Sequence, residues 1–519
     1  MKETGRIYTV FAVMTLFAVS LGVYSVTLKY GFVYDDHSQV LENPWIRELS
    51  RVPDILFSSG TAFQNKAANT FRPVLHLVFM AEYHAFGLKA WGWHLVNVLL
   101  HSLNAIMVFL VASTIFSDET AETLREPTVS LSSHPSVRTF VPPFFAGLLF
   151  ALHPVNSEVV SWVSAVPELT FTLFLLLSFY IYARGGQGAP VQMLSLVFFF
   201  LALLGKETAL SLVFIIFAYE YSGGEGGLKR GIKRCVPYLL AAVPYMALRT
   251  YAVGGVLHHK QAALSAYGAL LNAFPLVQKY FWKLLWPSGL NALYEFYPVS
   301  SVLDPGVTGG AAAALMMAAA LFLARRSKAT LVGLTMVTVP LLPVLYIPAL
   351  SSAPFADRYM YLPTAGLAIL FSCAMKKAFS TRRSGPGPAG VILLIFALAV
   401  SFTYAAASVK RSLVWKDDYS LWADTVKKSP NNANAHYNLA WASQERGYIP
   451  GAIEHYREAA RLDPARSADA HYNLGVIYNR ERVFDMAAVE FREALRADPG
   501  YAEAQEKLRV LERRLSAPQ

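Results

Sequence analysis

Residues 7–28, IYTVFAVMTLFAVSLGVYSVTL, form an unbroken apolar run, and residues 29–37, KYGFVYDDH, follow it with no linker. The run is 22 residues long, enough at about 1.5 Å per residue to cross a hydrocarbon layer of about 30 Å. Lys2 and Arg6 precede it. It is longer than the apolar region of a signal peptide and has no small-residue cleavage site, so a retained first helix with its N-terminus inside is expected. Asp35 and Asp36 then stand just outside the opposite membrane face. A charge drawn into hydrocarbon costs about 2.5 kcal/mol or more, so such a pair is expected to be partnered, hydrated or functional. Capping of an interfacial helix is the plainer use of the same two residues.

The rest of the chain has the composition this first helix implies. Of 519 residues, 55% are hydrophobic and 15% charged, the balance of a polytopic membrane protein and not of a soluble globule. The formal charge of +10 is assigned to cytoplasmic loops, not to nucleic-acid binding. Cys235 and Cys373 both lie beside or inside apolar segments, which argues against a disulfide framework and against a thiol metal site.

Apolar segments recur along residues 1–410, and about eleven crossings are expected. The return turns carry Arg184, Lys229, Arg230, Lys233, Arg234, Arg325, Arg326, Lys328, Lys376, Lys377, Arg382 and Arg383, the mark of cytoplasmic loops. The outer loop 29–93 mixes cations, Lys66 among them, with Trp and Phe, as helices in the headgroup layer do. In the second span His94, Asn97, His101 and Asn104 share one helix face, as hydrogen-bonding glue between helices or as a proton or ligand pathway. The stretch around residues 279–287, aromatic and basic, suits an interfacial or re-entrant helix.

From about residue 411 the composition turns charged and helical. Ala435-His436-Tyr437-Asn438-Leu439 recurs as Ala470-His471-Tyr472-Asn473-Leu474, and Ala452, Tyr456, Ala459 and Pro464 recur as Ala487, Phe491, Ala494 and Pro499. This is the tetratricopeptide pattern of helix–turn–helix units with a period near 34. Full repeats are expected over 433–466 and 468–501, a degenerate unit over 415–432 and a capping helix over 502–516, in a domain 411–519 on the outer side. Such a solenoid binds peptide in its groove or serves as a stabilising appendage.

The acids Asp35, Asp36, Glu158, Glu168, Glu207 and Asp357 gather at the outer face, beside Arg72, His153, Lys206, Lys279 and Arg358. Chemistry at a membrane rim suits a donor that is half lipid, such as a sugar on a polyprenyl phosphate. The phosphate needs a cation and the acceptor hydroxyl needs a carboxylate base, and attack at the anomeric carbon passes an oxocarbenium-like state. Asp35 or Asp36 is the expected base, with Arg72, Lys206 or Arg358 on the phosphate. The bland uses stay in view: Glu158 and Glu168 pairing with His153 or capping helices, Lys206-Glu207 as a surface pair, Asp357-Arg358 as a local ion pair.

Phe32-Val33-Tyr34-Asp35-Asp36, Phe71-Arg72-Pro73, His153-Pro154-Val155 through Glu158 and Trp162, Glu168, Asp357-Arg358-Tyr359-Met360-Tyr361-Leu362-Pro363, and Trp415-Lys416-Asp417-Asp418 leading to Ser429-Pro430-Asn431-Asn432-Ala433 occur in that order. In this the chain resembles the transmembrane and tetratricopeptide-repeat-containing O-mannosyltransferases, membrane glycosyltransferases of the C-type (GT-C) fold, and their bacterial relatives. The resemblance implies an all-α membrane helix bundle with a C-terminal tetratricopeptide α-solenoid. It also implies a lipid-linked donor such as polyprenyl-phosphate mannose, catalysis by Asp35 and Asp36, and transfer to Ser or Thr hydroxyls of a protein or peptide outside the cytoplasm. Arg72, Lys206 and Arg358 are expected on the donor phosphate, with His153, Glu158, Glu168, Asp357 and Tyr361 in support. No cofactor and no metal are expected, although metal use varies among C-type transferases. Animal members carry long repeat arrays; this short array and the compact loops point to a bacterial inner membrane with a periplasmic solenoid, or an ER lumenal one if the host is eukaryotic. A non-catalytic scaffold and a lipid or polysaccharide transporter are the competing readings.

Overall fold

A computed structural model describes residues 2–64, 70–123, 137–185, 188–222, 226–254, 264–345, 354–380 and 387–516. Lys66, Arg382 and Arg383 lie outside the described residues. The chain is an all-α, polytopic membrane helix bundle with a C-terminal tetratricopeptide α-solenoid, and no β-strand occurs among the described residues. It divides into two compact units, residues 1–290 with 298–413, and residues 291–297 with 414–519.

The first unit contains α1 (Lys2–Tyr24), α2 (Val52–Phe57), α3 (Pro73–Phe86), α4 (Ala90–Thr123), α5 (Val137–Leu152), α6 (Ser157–Ser161), α7 (Val166–Arg184), α8 (Ala189–Gly205) and α9 (Ser211–Tyr221). It continues with α10 (Gly227–Val253), α11 (Ala266–Leu285), α12 (Pro305–Leu323), α13 (Lys328–Thr338), α14 (Tyr361–Ser380) and α15 (Pro388–Ser412). Among the described residues seven helices are long and apolar enough to cross a membrane, or eight if the bent pair 140–152 and 154–161 is one span. The other expected crossings fall on helices that are shorter or more charged. Helices form at all the expected places, but α8 has 17 residues, α9 only 11 after the 3₁₀ turn Glu207–Leu210, and α10 opens on four cations, so these three do not qualify individually.

The shape of the bundle follows from where its chain breaks. Pro154 has no N–H and pushes the residue before it out of the helical region; His153 sits at φ −64°, ψ 122°, and the span bends by 46°. The break leaves the short α6, with Glu158, at the level where α7 begins. Helix α4 packs against both α5 and α7, and its buried polar residues hold it there. His94 Nε2 meets Gly31 O at 3.2 Å, Asn97 donates to Trp162 O at 2.9 Å, His101 Nε2 to Ala151 O at 3.0 Å and Asn104 to Leu169 O at 3.0 Å. The shared face of the second span is therefore glue, as hydrogen-bonding side chains between membrane helices commonly are. Where α13 meets α14, a Cβ on Gly366 would lie 2.6 Å from Gly333 O, so only glycine admits this approach. Conversely α12 and α15 expose Leu315, Phe322, Ile392, Ile395 and Phe402, which hydrocarbon solvates without cost.

The second unit consists of α16 (Asp418–Lys428), α17 (Ala433–Glu445), α18 (Ile449–Leu462), α19 (Ala468–Arg480), α20 (Phe484–Ala497) and α21 (Ala502–Ser516). Its core stacks Ala452, Tyr456 and Ala459 with Ala487, Phe491 and Ala494, and closes on Ala504 and Leu511 of α21. Asp417 and Asn432 cap α16 and α17 by accepting Ser420 N–H at 2.9 Å and Ala435 N–H at 3.0 Å. Residues 291–297 supply a strap that the repeat pattern does not announce: Asn291 donates to Ser429 Oγ at 2.9 Å, and Glu295 accepts Asn431 N–H at 2.6 Å.

Candidate active site

The outer loop turns sharply as soon as it leaves the first span. Tyr34 holds a left-handed backbone, φ +55°, a conformation that costs a side-chain-bearing residue about 1–2 kcal/mol. Its ring stacks on Trp162 with centroids 5.6 Å apart, and Asp36 N–H closes the turn on Val33 O at 3.0 Å. The two neighbouring carboxylates consequently have different surroundings. Asp36 is wholly buried; it accepts Val33 N–H at 3.0 Å, Ser164 N–H at 2.8 Å and the Ser164 hydroxyl. Burial pushes its pKa up to about 7, against those hydrogen bonds. Asp35 lines a cavity. Burial raises its pKa too, and the Arg358 charge opposes the rise.

That cavity has a volume of about 170 Å³. Its polar wall is Asp35, Gln39, Arg72, Glu168 and Arg358, and Trp162 and Tyr359 supply aromatic surface. Three buried atoms of that polar wall have no hydrogen-bond partner among the described residues: Gln39 Oε1, Arg72 Nε and Glu168 Oε2. Unpartnered buried polar atoms are costly, and here one donor and two acceptors are spread over a single wall. Arg358 donates from Nη1 to Glu158 Oε1 at 2.8 Å, with its guanidinium 5.4 Å from the Trp162 ring centre and 5.1 Å from that of Tyr359. Lys206 pairs with Glu168 Oε1 at 2.8 Å. It faces a smaller slot with Phe171, Pro340, Val344 and Leu362, which shares Arg358 and Tyr359 with the main cavity.

The bland pairings expected from sequence are replaced. Glu158 and Glu168 bond Arg358 and Lys206, not His153. Lys206 is buried and does not form a surface pair with Glu207. His153 is engaged at both ring nitrogens, accepting Val155 N–H at Nδ1 (3.3 Å) and donating from Nε2 to Leu284 O (3.1 Å). Tyr361 lies in the core, its hydroxyl 2.8 Å from His101 Nδ1 and 3.3 Å from Asn104 Nδ2. His153, Tyr361 and the buried Asp357 line neither cavity. Among the described residues no three His, Cys, Asp or Glu side chains converge as metal ligands.

Gln39, Thr61, Thr70 and Ser164 also line the cavity and were not expected from sequence. Gln39 could have been found, since it stands one helical turn after Asp35 and its N–H bonds Asp35 O at 2.8 Å. The others carry no signal in a single sequence.

Comparison with known proteins gives three kinds of match. Residues 444–480 match the family "TPR repeat" and residues 468–501 the family "Tetratricopeptide repeat". "Protein O-mannosyl-transferase F38B6.6" of Caenorhabditis elegans is 23% identical over 478 residues, 89% of this chain and 64% of that protein. "Protein O-mannosyl-transferase TMTC1" of Homo sapiens is 24% identical over 499 residues, 85% of this chain and 54% of that one. The chain thus spans between about half and two thirds of the length of these relatives. Among solved structures, ArnT from Cupriavidus metallidurans bound to undecaprenyl phosphate aligns with a TM-score of 0.41 and 14% identity, over 83% of this chain and 80% of that one. The chain is a tetratricopeptide-bearing membrane protein similar, along most of its length, to the protein O-mannosyl-transferases.

Proposed function

We propose that the protein is a membrane glycosyltransferase that moves a sugar, mannose or another hexose, from a polyprenyl-phosphate carrier to a hydroxyl of a protein or peptide outside the cytoplasm. The carrying observation is the cavity in which the Asp35 carboxylate shares one wall with Arg358 and with Arg72, whose buried Nε has no partner among the described residues. A hydroxyl-rich anion is the ligand that would satisfy Arg72 Nε, Gln39 Oε1 and Glu168 Oε2 together.

In this reading Asp35 takes the proton of the acceptor hydroxyl as the oxygen attacks the anomeric carbon. The bond from that carbon to the phosphate oxygen breaks, and polyprenyl phosphate leaves with the electron pair. Arg72 and Arg358 receive the charge that builds on the leaving phosphate. A base works best with a pKa near the working pH, and burial moves Asp35 in that direction. Asp36, Glu158 and Glu168 position the loop and the cations. The solenoid recruits the acceptor chain. The active face is periplasmic in a bacterial inner membrane, or lumenal in the ER.

The test incubates purified protein with polyprenyl-phosphate hexoses labelled in the sugar and with Ser/Thr-bearing peptides. Label should leave the lipid with wild-type protein and stay there with Asp35→Asn. Undiminished transfer by Asp35→Asn, or no transfer from any hexose donor, overturns the proposal.

A further inference from the structure

A second cavity, also of about 170 Å³, lies at the far end of α7. Glu168 lines the first cavity and Tyr182 the second; fourteen residues separate them on one helix, about 21 Å at 1.5 Å per residue. Because residues 163–184 have membrane-spanning length, the two cavities belong to opposite membrane faces. Lys229, Arg230, Lys233 and Arg234 on α10 mark the face of the second as cytoplasmic.

Its wall carries one base and one acid. Arg234 lines the cavity and makes no ion pair with a described carboxylate. Glu220 lines it as well, accepting the Tyr182 hydroxyl on Oε1 at 2.6 Å; among the described residues Oε2 has only a loose ionic contact, 4.0 Å, with the exposed Arg230. Basic pockets between membrane helices on this side hold phospholipid headgroups, but a purely anionic headgroup would meet the Glu220 carboxylate. A volume below the roughly 300 Å³ at which pockets for drug-sized ligands begin has room for a headgroup and not for a nucleotide. We propose that this cavity binds the headgroup of an aminophospholipid, the phosphate on Arg234 and the primary ammonium on Glu220. The site is independent of sugar transfer and does not rest on the function proposed above.

The discriminating chemistry is the ammonium N–H, which phosphatidylethanolamine has and phosphatidylcholine lacks. Full-length protein is extracted from equimolar phosphatidylethanolamine, phosphatidylcholine and phosphatidylglycerol, and retained lipid is counted by native mass spectrometry. Phosphatidylethanolamine should exceed phosphatidylcholine by roughly tenfold, the value of one hydrogen bond to a charged group, and soluble glycerophosphoethanolamine should displace it. Glu220→Gln, which still accepts the Tyr182 hydroxyl, should erase the preference while keeping phospholipid, and Arg234→Ala should lower retention of both lipids. Equal retention of the two lipids overturns the proposal, as does preference for phosphatidylglycerol or failure of the soluble headgroup to compete. Those three readings use wild-type protein and stand even if a variant fails to fold.

Discussion

Asp36 accepts both the backbone N–H and the hydroxyl of Ser164, a residue 128 positions away, while Asp35 beside it opens on the cavity. One acid of the pair therefore holds the loop to the start of α7, and the other is available for chemistry. Asp35→Asn should lower transfer by roughly 10²–10⁴-fold, the usual worth of a general base, and leave thermal stability unchanged. Asp36→Ala should destabilise by about 1–3 kcal/mol, because Ser164 and Val33 lose their acceptor. Transfer assays beside thermal unfolding separate the two; equal loss of stability in both variants would refute the division of roles.

The same burial makes stability depend on pH through Asp36. Its folded pKa, about 7, is above the ordinary carboxylate value of about 3.9. The folded state therefore binds more protons between those values, and stability from this group falls as pH rises through that window. Asp36→Asn, which cannot ionise, should flatten the decline between about pH 4 and pH 7. Unfolding midpoints of both proteins across that range check the sign.

Arg72 and Lys206 were interchangeable as candidates on sequence, but their contacts differ. Lys206 is buried in an ion pair with Glu168, and removing one partner of a buried pair costs about 3–5 kcal/mol. Arg72 leaves Nε unpartnered among the described residues. Lys206→Ala should therefore unfold at markedly lower temperature. Arg72→Ala should keep its stability within about 0.5 kcal/mol and lose roughly 10²-fold in turnover with a lipid-phosphate donor. A calorimetric scan and a donor titration of each variant decide it.

These contrasts mark where sequence stops being informative. The helices, the repeats and the gathering of Asp35, Arg72, Glu168 and Arg358 were legible, because apolar runs and a period near 34 fix local structure and alternation of spans fixes the face. The pairings were not. Adjacent side chains diverge: in the 3₁₀ turn Asp357–Met360 Arg358 turns from Asp357 to Glu158, and Lys206, in extended backbone between α8 and the turn Glu207–Leu210, turns from Glu207 to Glu168. Helix length was not legible either: an apolar run such as 207–221 is broken by a 3₁₀ turn, which hydropathy does not register.

Tyr361 belongs to the bundle core. His101 Nε2 faces the Ala151 carbonyl and must donate, so Nδ1 accepts the Tyr361 hydroxyl proton, and that hydroxyl accepts from Asn104. Tyr361→Phe leaves both partners unsatisfied and should cost about 1–3 kcal/mol with little change in turnover per folded molecule. A large fall in turnover at unchanged stability would return Tyr361 to the reaction.

In the solenoid, Gly447 and Arg482 occupy equivalent turns, one repeat apart. Both have left-handed backbones, φ +77° and +63°. The following residue closes each helix in the same way, Tyr448 N–H on Ser443 O at 2.9 Å and Val483 N–H on Tyr478 O at 2.8 Å. Glycine adopts this conformation freely, whereas a side chain pays about 1–2 kcal/mol. Part of that is returned by the larger entropy of an unfolded glycine. Arg482→Gly should therefore gain about 0.5–1 kcal/mol, and Gly447→Arg should lose a similar amount. Hydrogen exchange of the amides in α17–α20 on the full chain reads both: protection in α19 and α20 rises with the first change and falls in α17 and α18 with the second. Unchanged protection in both variants would mean that the turns relax to accommodate either residue.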